Sequence, residues 1–485
     1  MENAFLIREN GVCLEQHSPE TKGISQVQVS HASRTAVASF DDPNLVSSAG
    51  LLPVMRLAEK TGLRALADQW LTVPTDKGAN AGSKVESIVA GMVAGADSID
   101  DMALLRHGGM NRLFASCYAP STLGSFLRAF TFGHVRQLDA VASRLLINLA
   151  GQAPLVPAGS NTVFVDVDDT IIEVHGHQKQ GAGFGYSGVR GINAFLATVS
   201  TETSAPVVIA QRLRRGATGS PKGAARIVAD ALKTVTRLPE PKTTPVLLRA
   251  DSAYYGLPTV NAAIKAGAEV SITARQDTAV KRAIATIPED AWQKIKYTNA
   301  IFDHDTRTWI SVAEVAEVPF TAFTSKAKKD RVEGRLVVRR IPELNTKNLE
   351  HPTLFDTHRF HAFFTTTALD TVTADQVHRR HAIIEQVHAD LKGSALAHLP
   401  SGRFTANAAW LVLAVIAFNL TRTAATITGP DLRSATTATI RRKLITVPAR
   451  IASSGRRITL HLPRAWPWEA AWTTLFSHAL APPQS

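Results

Sequence analysis

Between Thr162 and Arg275, apolar runs of strand length alternate with amphipathic stretches of helix length. That alternation confines the chain to few folds. TVFVDVDD, APVVIAQRL, PVLLRADS and EVSITAR are short, rich in β-branched residues and bounded by turn formers, as strands are; GVRGINAFLATVS adds further apolar structure. KGAARIVADALKTV and LPTVNAAIKAGA carry apolar residues three and four apart, as helices do. Strands alternating with helices predict an α/β core.

The flanks differ. Gly50 to Leu71, Lys84 to Leu105 and Thr122 to Ala150 each read as helical, after a short hairpin expected from VQVSHAS and TAVASF within residues 20–45. From Gln276 to about Asp370 the period becomes two, which predicts a β-rich insertion whose last segment, HRFHAFFTT, returns to the central sheet. Helices resume at Val377, and between Gln376 and Ala465 there are 13 Lys or Arg against 3 Asp or Glu. AAWLVLAVIAF, Ala408 to Phe418, is too short to span a bilayer and reads as a buried helix. Short strands and a terminal helix, WPWEAAWTTLF, are expected to follow. The domains read as a helical DNA-binding or dimerisation region (1–150), a first core part (161–275), the insertion (276–355), a final core strand with helices (356–430) and a basic terminal region (431–485).

With 53 Lys and Arg against 41 Asp and Glu, the net charge of +12 suits a polyanionic partner such as nucleic acid. Cys13 and Cys117 are the only cysteines, which argues against a disulfide framework, a four-thiolate zinc site and an iron–sulfur cluster. The start, MENAFLIREN, lacks the pattern of a signal peptide, so the expected setting is the cytoplasm, with no membrane.

Three acids stand where chemistry gathers. Asp168 lies in VFVDVDDTIIEVHG, where strand alternation puts Asp166 and Asp168 on one side and Asp169 on the other. Asp251 follows the strand of PVLLRADSAYYG, 83 residues later, and strand carboxyl ends are where α/β sites assemble. Glu385 lies in VHRRHAIIEQVHADLK, whose helical repeat groups His378, His381, Glu385, His388 and Lys392 on one face. Each has a plainer reading: a solvent-facing strand end, a helix cap and a solvated helix face. His378, His381, Glu385 and His388, or His175 and His177, offer zinc donors without any recognised zinc spacing. Asp166, Asp168 and Thr170 also spell the D-x-D-x-T of a haloacid-dehalogenase-like phosphatase, with Asp166 as nucleophile, but no later metal motif completes it.

Taken together, DVDDT, LLRADSAYYG and HRRHAIIEQVHADLK resemble the D-D-E motifs of insertion-sequence transposases of the IS4-like group, and of its IS1380 branch in particular. The resemblance covers most of the chain. It departs from the group's Y-x-x-R-x-x-x-E-x-x-x-x-x-x-K pattern at two positions, with His378 for Tyr and His381 for Arg, while Glu385 and Lys392 stand. Histidine contacts phosphate only when protonated and lacks the fixed fork of arginine, so a catalytically inactive DNA-binding remnant is the other reading.

The resemblance implies an RNase H-like catalytic core with a β-rich insertion and a helical N-terminal domain. It implies Asp168, Asp251 and Glu385 as catalytic metal ligands for two magnesium ions, with manganese as a substitute. Lys392, Arg379, Arg380, His378 and His381 would contact DNA. The implied partners are double-stranded DNA with terminal inverted repeats, target DNA and a second copy of the chain in a homodimer or larger assembly.

Overall fold

The computed structural model describes residues 38–481 except 75, 115–116, 177, 240–242, 304–306, 343–357 and 456. VQVSHAS and His177 lie outside the described residues, as does most of TAVASF, whose last three residues form no strand.

The amino-terminal helices follow the sequence pattern but break where the backbone demands it. The Gly50 to Leu71 stretch is two helices, α1 (Leu51–Lys60) and α2 (Leu63–Trp70), because Gly62 takes a left-handed φ of 83° and the Thr61 hydroxyl bonds back to the Leu57 carbonyl at 2.8 Å. Next come α3 (Ala81–Ala94), ended by Gly95 at φ 118°, a 3-10 turn over Asp100–Leu105, and α4 (Met110–Leu113). The Thr122 to Ala150 stretch divides into α5 (Pro120–Arg128) and α6 (Phe132–Ala150), the latter opened by a reciprocal cap between Thr131 and His134.

A two-residue strand, β1 (Leu45–Val46), belongs to a separate small sheet; the central sheet begins with β2 (Val163–Glu173), β3 (Gly183–Phe184), β4 (Arg190–Ser200) and β5 (Val207–Arg215). Helix α7 (Ala224–Val235) leads to β6 (Val246–Ala250), and α8 (Leu257–Lys265) to β7 (Glu269–Thr273). β2 pairs antiparallel with β4 and β4 with β5, while β6 lies parallel to β2 and β7 parallel to β6. Numbered by chain position, these five strands run third, second, first, fourth, fifth across the sheet, which is consistent with the RNase H-like core that the resemblance implies.

After α9 (Thr278–Ile284), strands β8 (Gln293–Asp303), β9 (Thr308–Ala322), β10 (Val332–Pro342) and β11 (His358–Thr365) form an antiparallel meander. β11 pairs with β7, so the meander extends the central sheet in place. HRFHAFFTT thus returns to the sheet as its alternation predicted.

The chain then forms α10 (Thr371–Arg379), a 3-10 turn over Arg380–Ala382, and α11 (Ile383–Lys392). Helix α12 (Phe404–Ile427) is long and apolar enough to cross a membrane by length and composition, yet it is buried from Ala406 to Ala425 against α3, α6 and β5. A helix apolar all round has no solvent face, so its neighbours cover every side. After α13 (Pro430–Arg433) and α14 (Thr437–Ile440), β12 (Ala449–Ser454) pairs with β1 and with β13 (Arg457–His461), and α15 (Glu469–Leu480) closes the described chain. One apolar cluster runs from Val46 to Leu475 and joins amino-terminal helices, sheet and carboxyl-terminal helices.

Candidate active site

β2 is longer than the sequence suggests, and that fixes the geometry. β6 stops at the Val167–Ala250 pair while β2 continues beside β4 to Glu173. Asp168 is therefore mid-strand, not at a strand end. Asp168 and Asp251 each follow the last paired residue of two adjacent parallel strands, so the 83 residues between them close to one step of the sheet.

Alternation assigns the other neighbours. Asp166, Asp168 and Thr170 meet three residues of α10–α11 in turn: His381 Nδ1 lies 3.0 Å from Asp166 Oδ1, His388 Nε2 lies 3.6 Å from Asp168 Oδ2, and Lys392 Nζ donates to Thr170 Oγ1 at 3.1 Å. The 3-10 turn at Arg380–Ala382 interrupts what the periodicity read as one helix. The expected polar face is divided as a result. His381 and His388 are buried against the sheet, while Glu385 and Lys392 are exposed.

Asp166 has no exposed surface. Arg249, also buried, grips it with Nε and Nη2 at 2.7 Å each, donates Nη1 to the Val377 carbonyl at 2.7 Å and lies 4.1 Å from the Phe164 ring centre. Burial opposes the Asp166 charge, but Arg249 and the His381 hydrogen bond outweigh it and hold the carboxyl below its ordinary range. Burial likewise opposes a charged His381, and the bond to Asp166 with the nearby Asp251 carboxylate raises its pKa nonetheless. His381 Nε2 lies 3.9 Å from Asp251 Oδ1, so one imidazole bridges the structural acid and the exposed one.

Asp168 has the opposite environment. Burial, together with repulsion from Asp251 and Asp169, pushes its pKa up to about 7. No guanidinium or ammonium is paired with it among the described residues. His388 supplies no charge, because burial and the Lys392 ammonium push its pKa down to about 4, and neither ring nitrogen has a hydrogen-bond partner. Asp251 is 60% exposed. Glu385, one helical turn after His381, is exposed, with no partner among the described residues.

Two carboxylates that repel each other beside an open surface suit a hard divalent cation in donor type. Among the described residues, however, no group of three or more His, Cys, Asp and Glu is arranged to hold a metal ion. The side chains present bring Asp168 and Asp251 together and leave Glu385 without a shared contact to them.

The other expected site residues fall in different settings. His378 stacks on Phe363 at 4.0 Å, its two nitrogens engaged by Ser271 at 2.9 Å and Thr273 at 3.1 Å. Burial pushes its pKa down to about 3, so it is a neutral packing residue and not a protonated phosphate contact. Arg379 pairs with Asp375 at 2.8 Å. Arg380 and Lys392 are exposed. Asp169 is buried mid-strand on the far face, bound by Tyr254, Asn193 and Arg214. Tyr254 is spent on that support, and Tyr255 packs against Phe323 and Phe364. Trp472 is buried on Phe476, and Trp466 donates to the Lys443 carbonyl at 3.0 Å, as packing residues do.

The sealing of Asp166 by Arg249 and His381 removes the phosphatase reading, which needs that carboxylate exposed as a nucleophile. Sequence reasoning missed Arg249 and the inward turn of both histidines. A signal for Arg249 existed: an arginine inside VLLRA and an aspartate inside VFVDV are charges in two apolar strands, and buried charges need each other.

Residues 28–481 match the family model described as transposase DDE domain, group 1. No curated protein matches the chain.

Proposed function

Because this chain belongs to the group 1 transposase DDE family, we propose that it cleaves DNA at the terminal inverted repeats of an insertion sequence and joins the freed ends to target DNA. The observation that supports this most is that Asp168 and Asp251 each directly follow the last paired residue of adjacent parallel strands, with the helix that carries Glu385 packed on β2. Asp168, Asp251 and Glu385 would hold magnesium, or manganese in its place, which would supply charge neutralisation at the scissile phosphate and its attacking and leaving oxygens.

The chain's own residues carry the rest. Arg249 and His381 fix Asp166 and so fix β2 against α10–α11, which sets the separation of Asp168 from the helix. Lys392, bonded to Thr170, and Arg380, exposed on the turn before α11, would contact DNA phosphate. His381 acts inside the site, holding Asp251. The closer reading is the IS1380 branch of the IS4-like group, acting in the cytoplasm on chromosomal or plasmid DNA, as a homodimer or larger assembly that brings two ends together.

The direct assay takes the DNA flanking the gene, whose short inverted repeats define the substrate, and incubates it with the protein with and without magnesium. Cleavage at the repeat ends only when magnesium is present is expected. Specific binding of the repeats with no cleavage in magnesium or manganese would identify an inactive DNA-binding remnant and refute the enzyme reading.

A further inference from the structure

Away from the acid site, a cluster of arginines takes no part in the cleavage chemistry. It lines a cleft of about 280 Å³ between α6 and α7, with β5 between them. Arg212 of β5 pairs across the sheet with Phe195 of β4, and Phe195 with Asp169 of β2. Cross-strand partners share a face, so Arg212 stands two strands from β2 on the side opposite Asp168. The cleft lies where the amino-terminal helices, through α6, meet the core, through β5 and α7.

Two carboxylates hold the cluster together. Asp139 of α6 accepts from Arg136 at 2.8 Å, from Gln211 at 2.7 Å and from Arg212 at 2.9 Å. Gln211 and Arg212 are consecutive in a strand and leave its opposite faces, so a carboxylate that both reach lies at the edge of β5. Asp230 of α7 is met by three guanidiniums: Arg212 at 2.6 Å, Arg226 at 3.2 Å and Arg136 at 3.5 Å. The Ser143 and Thr234 hydroxyls, 3.2 Å apart, join the two helices.

The charges do not balance. Six cations line the cleft against these two acids. One of them, Arg144, stacks over the Trp70 ring at 3.9 Å. Lys233 shares a face of α7 with Arg226 and Asp230, and Arg237 follows just past the helix end; both are exposed and neither forms an ion pair among the described residues. Burial opposes the Asp139 charge and, against the pull of Arg136, lifts its pKa to about 7, so near neutral pH part of the little negative charge present is given up. Like charges gathered in a half-buried cleft repel one another until an anion joins them.

We propose that this cleft binds a small phosphate anion of two or more negative charges, with inorganic pyrophosphate as its simplest form, and that the anion ties α6 to α7. Guanidinium forks match the oxygens of a phosphate, and the surplus of positive charge favours a polyanion over a single carboxylate. The ligand is small because the cleft floor, Arg136 and Arg212 with their two acids, lies between helices that touch at Ser143 and Thr234, where a duplex does not reach. Arg226, 74% exposed, together with Lys233 and Arg237, forms the rim that closes on it. The cleft shares no residue with the acid site, so the proposal stands apart from the cleavage reading.

Calorimetric titration with inorganic pyrophosphate tests it, at ionic strength held constant with sodium chloride and with no divalent ion present. One saturable site per chain is expected, together with a higher melting temperature at saturation. A charge-assisted bond is worth about tenfold in affinity, so Arg226→Gln, and separately Lys233→Ala with Arg237→Ala, are each expected to weaken binding at least about tenfold. All three side chains are exposed, so these variants are expected to fold. Lys328→Ala with Lys329→Ala removes the same charge from the exposed turn between β9 and β10 and is expected to leave the affinity unchanged. Absence of saturable binding, or an equal loss in the Lys328 and Lys329 variant, would overturn the site. Displacement of the pyrophosphate by a short DNA duplex at the same salt would assign the cleft to the DNA backbone and overturn the small ligand.

Discussion

Asp166 and Asp168 are two residues apart on β2 and face the same way, yet their carboxyls are driven in opposite directions. Asp166 is held ionised by a buried guanidinium and an imidazole; Asp168 has neighbours of its own sign, and its pKa lies at about 7 against an ordinary 3.8. The sign of the consequence follows from proton linkage. Between those two values the folded state binds more protons at Asp168 than the unfolded state does, so stability falls as pH rises through that window and the whole penalty is present above about pH 7. Asp168→Asn is therefore expected to stabilise the metal-free protein at pH 8, by up to about 4 kcal/mol, and to change little below pH 4. Urea unfolding at both pH values checks this; a variant less stable at pH 8 contradicts it. Adding magnesium at pH 8 is expected to raise the melting temperature of the wild type more than that of Asp168→Asn. The Asp166 pair behaves otherwise: Arg249→Met leaves a buried carboxylate with His381 as its one remaining charged partner and should cost about 3–5 kcal/mol, whereas Asp166→Leu with Arg249→Met should recover much of that loss. The residues of this site were half legible in the sequence. Asp168 and Asp251 stood out as candidates because an apolar run leads up to each, although Asp168 lies within β2 and not after it, while the settings of His381 and His388 depended on a local tightening of the helix that residue spacing does not reveal.

At the scale of elements, the register of β4 and β5 shifts between Ala197 and Thr198, and α12 answers it. Asn419 accepts from the Val208 N–H at 2.9 Å and donates to the Val208 carbonyl at 2.7 Å, a residue beside that irregularity. A bulge leaves backbone groups without ladder partners, and a buried helix must supply them. Asn419→Leu is expected to destabilise the protein by roughly 2–4 kcal/mol, since the buried Val208 N–H and carbonyl each lose a bond. Chemical denaturation measures it, and a neutral result would mean that the strand repairs itself. The apolar composition of α12 was plain in the sequence and its burial followed. Its two-bond clasp on β5 was not, because nothing marks Asn419 apart from any other polar residue in a helix. The Thr61–Gly62 break was hidden for a related reason: the apolar stripe continues unchanged across a residue whose backbone turns left-handed.

Across the whole molecule, the five core strands and the four-strand meander form one continuous sheet, with the acid pair near its middle and the helix that bears Glu385 and Lys392, α11, packed on β2. The strand and helix alternation predicted the core, and the change of period at Gln276 predicted the meander. Their union through β7 and β11 is a long-range pairing, which only the last strand's return hinted at. The net charge of +12 pointed to a polyanion without locating it, and of the exposed cations Lys392, bonded to Thr170, lies beside the acid-bearing stretch of β2. The central claim is that Asp168, Asp251 and Glu385 act as one site on DNA. The most direct measurement is cleavage of the cognate repeat DNA in magnesium by Asp168→Asn, Asp251→Asn and Glu385→Gln, each first shown to be folded and to bind that DNA. Each is predicted to lose at least about a hundredfold in cleavage rate while binding persists. Normal cleavage by all three would contradict the account.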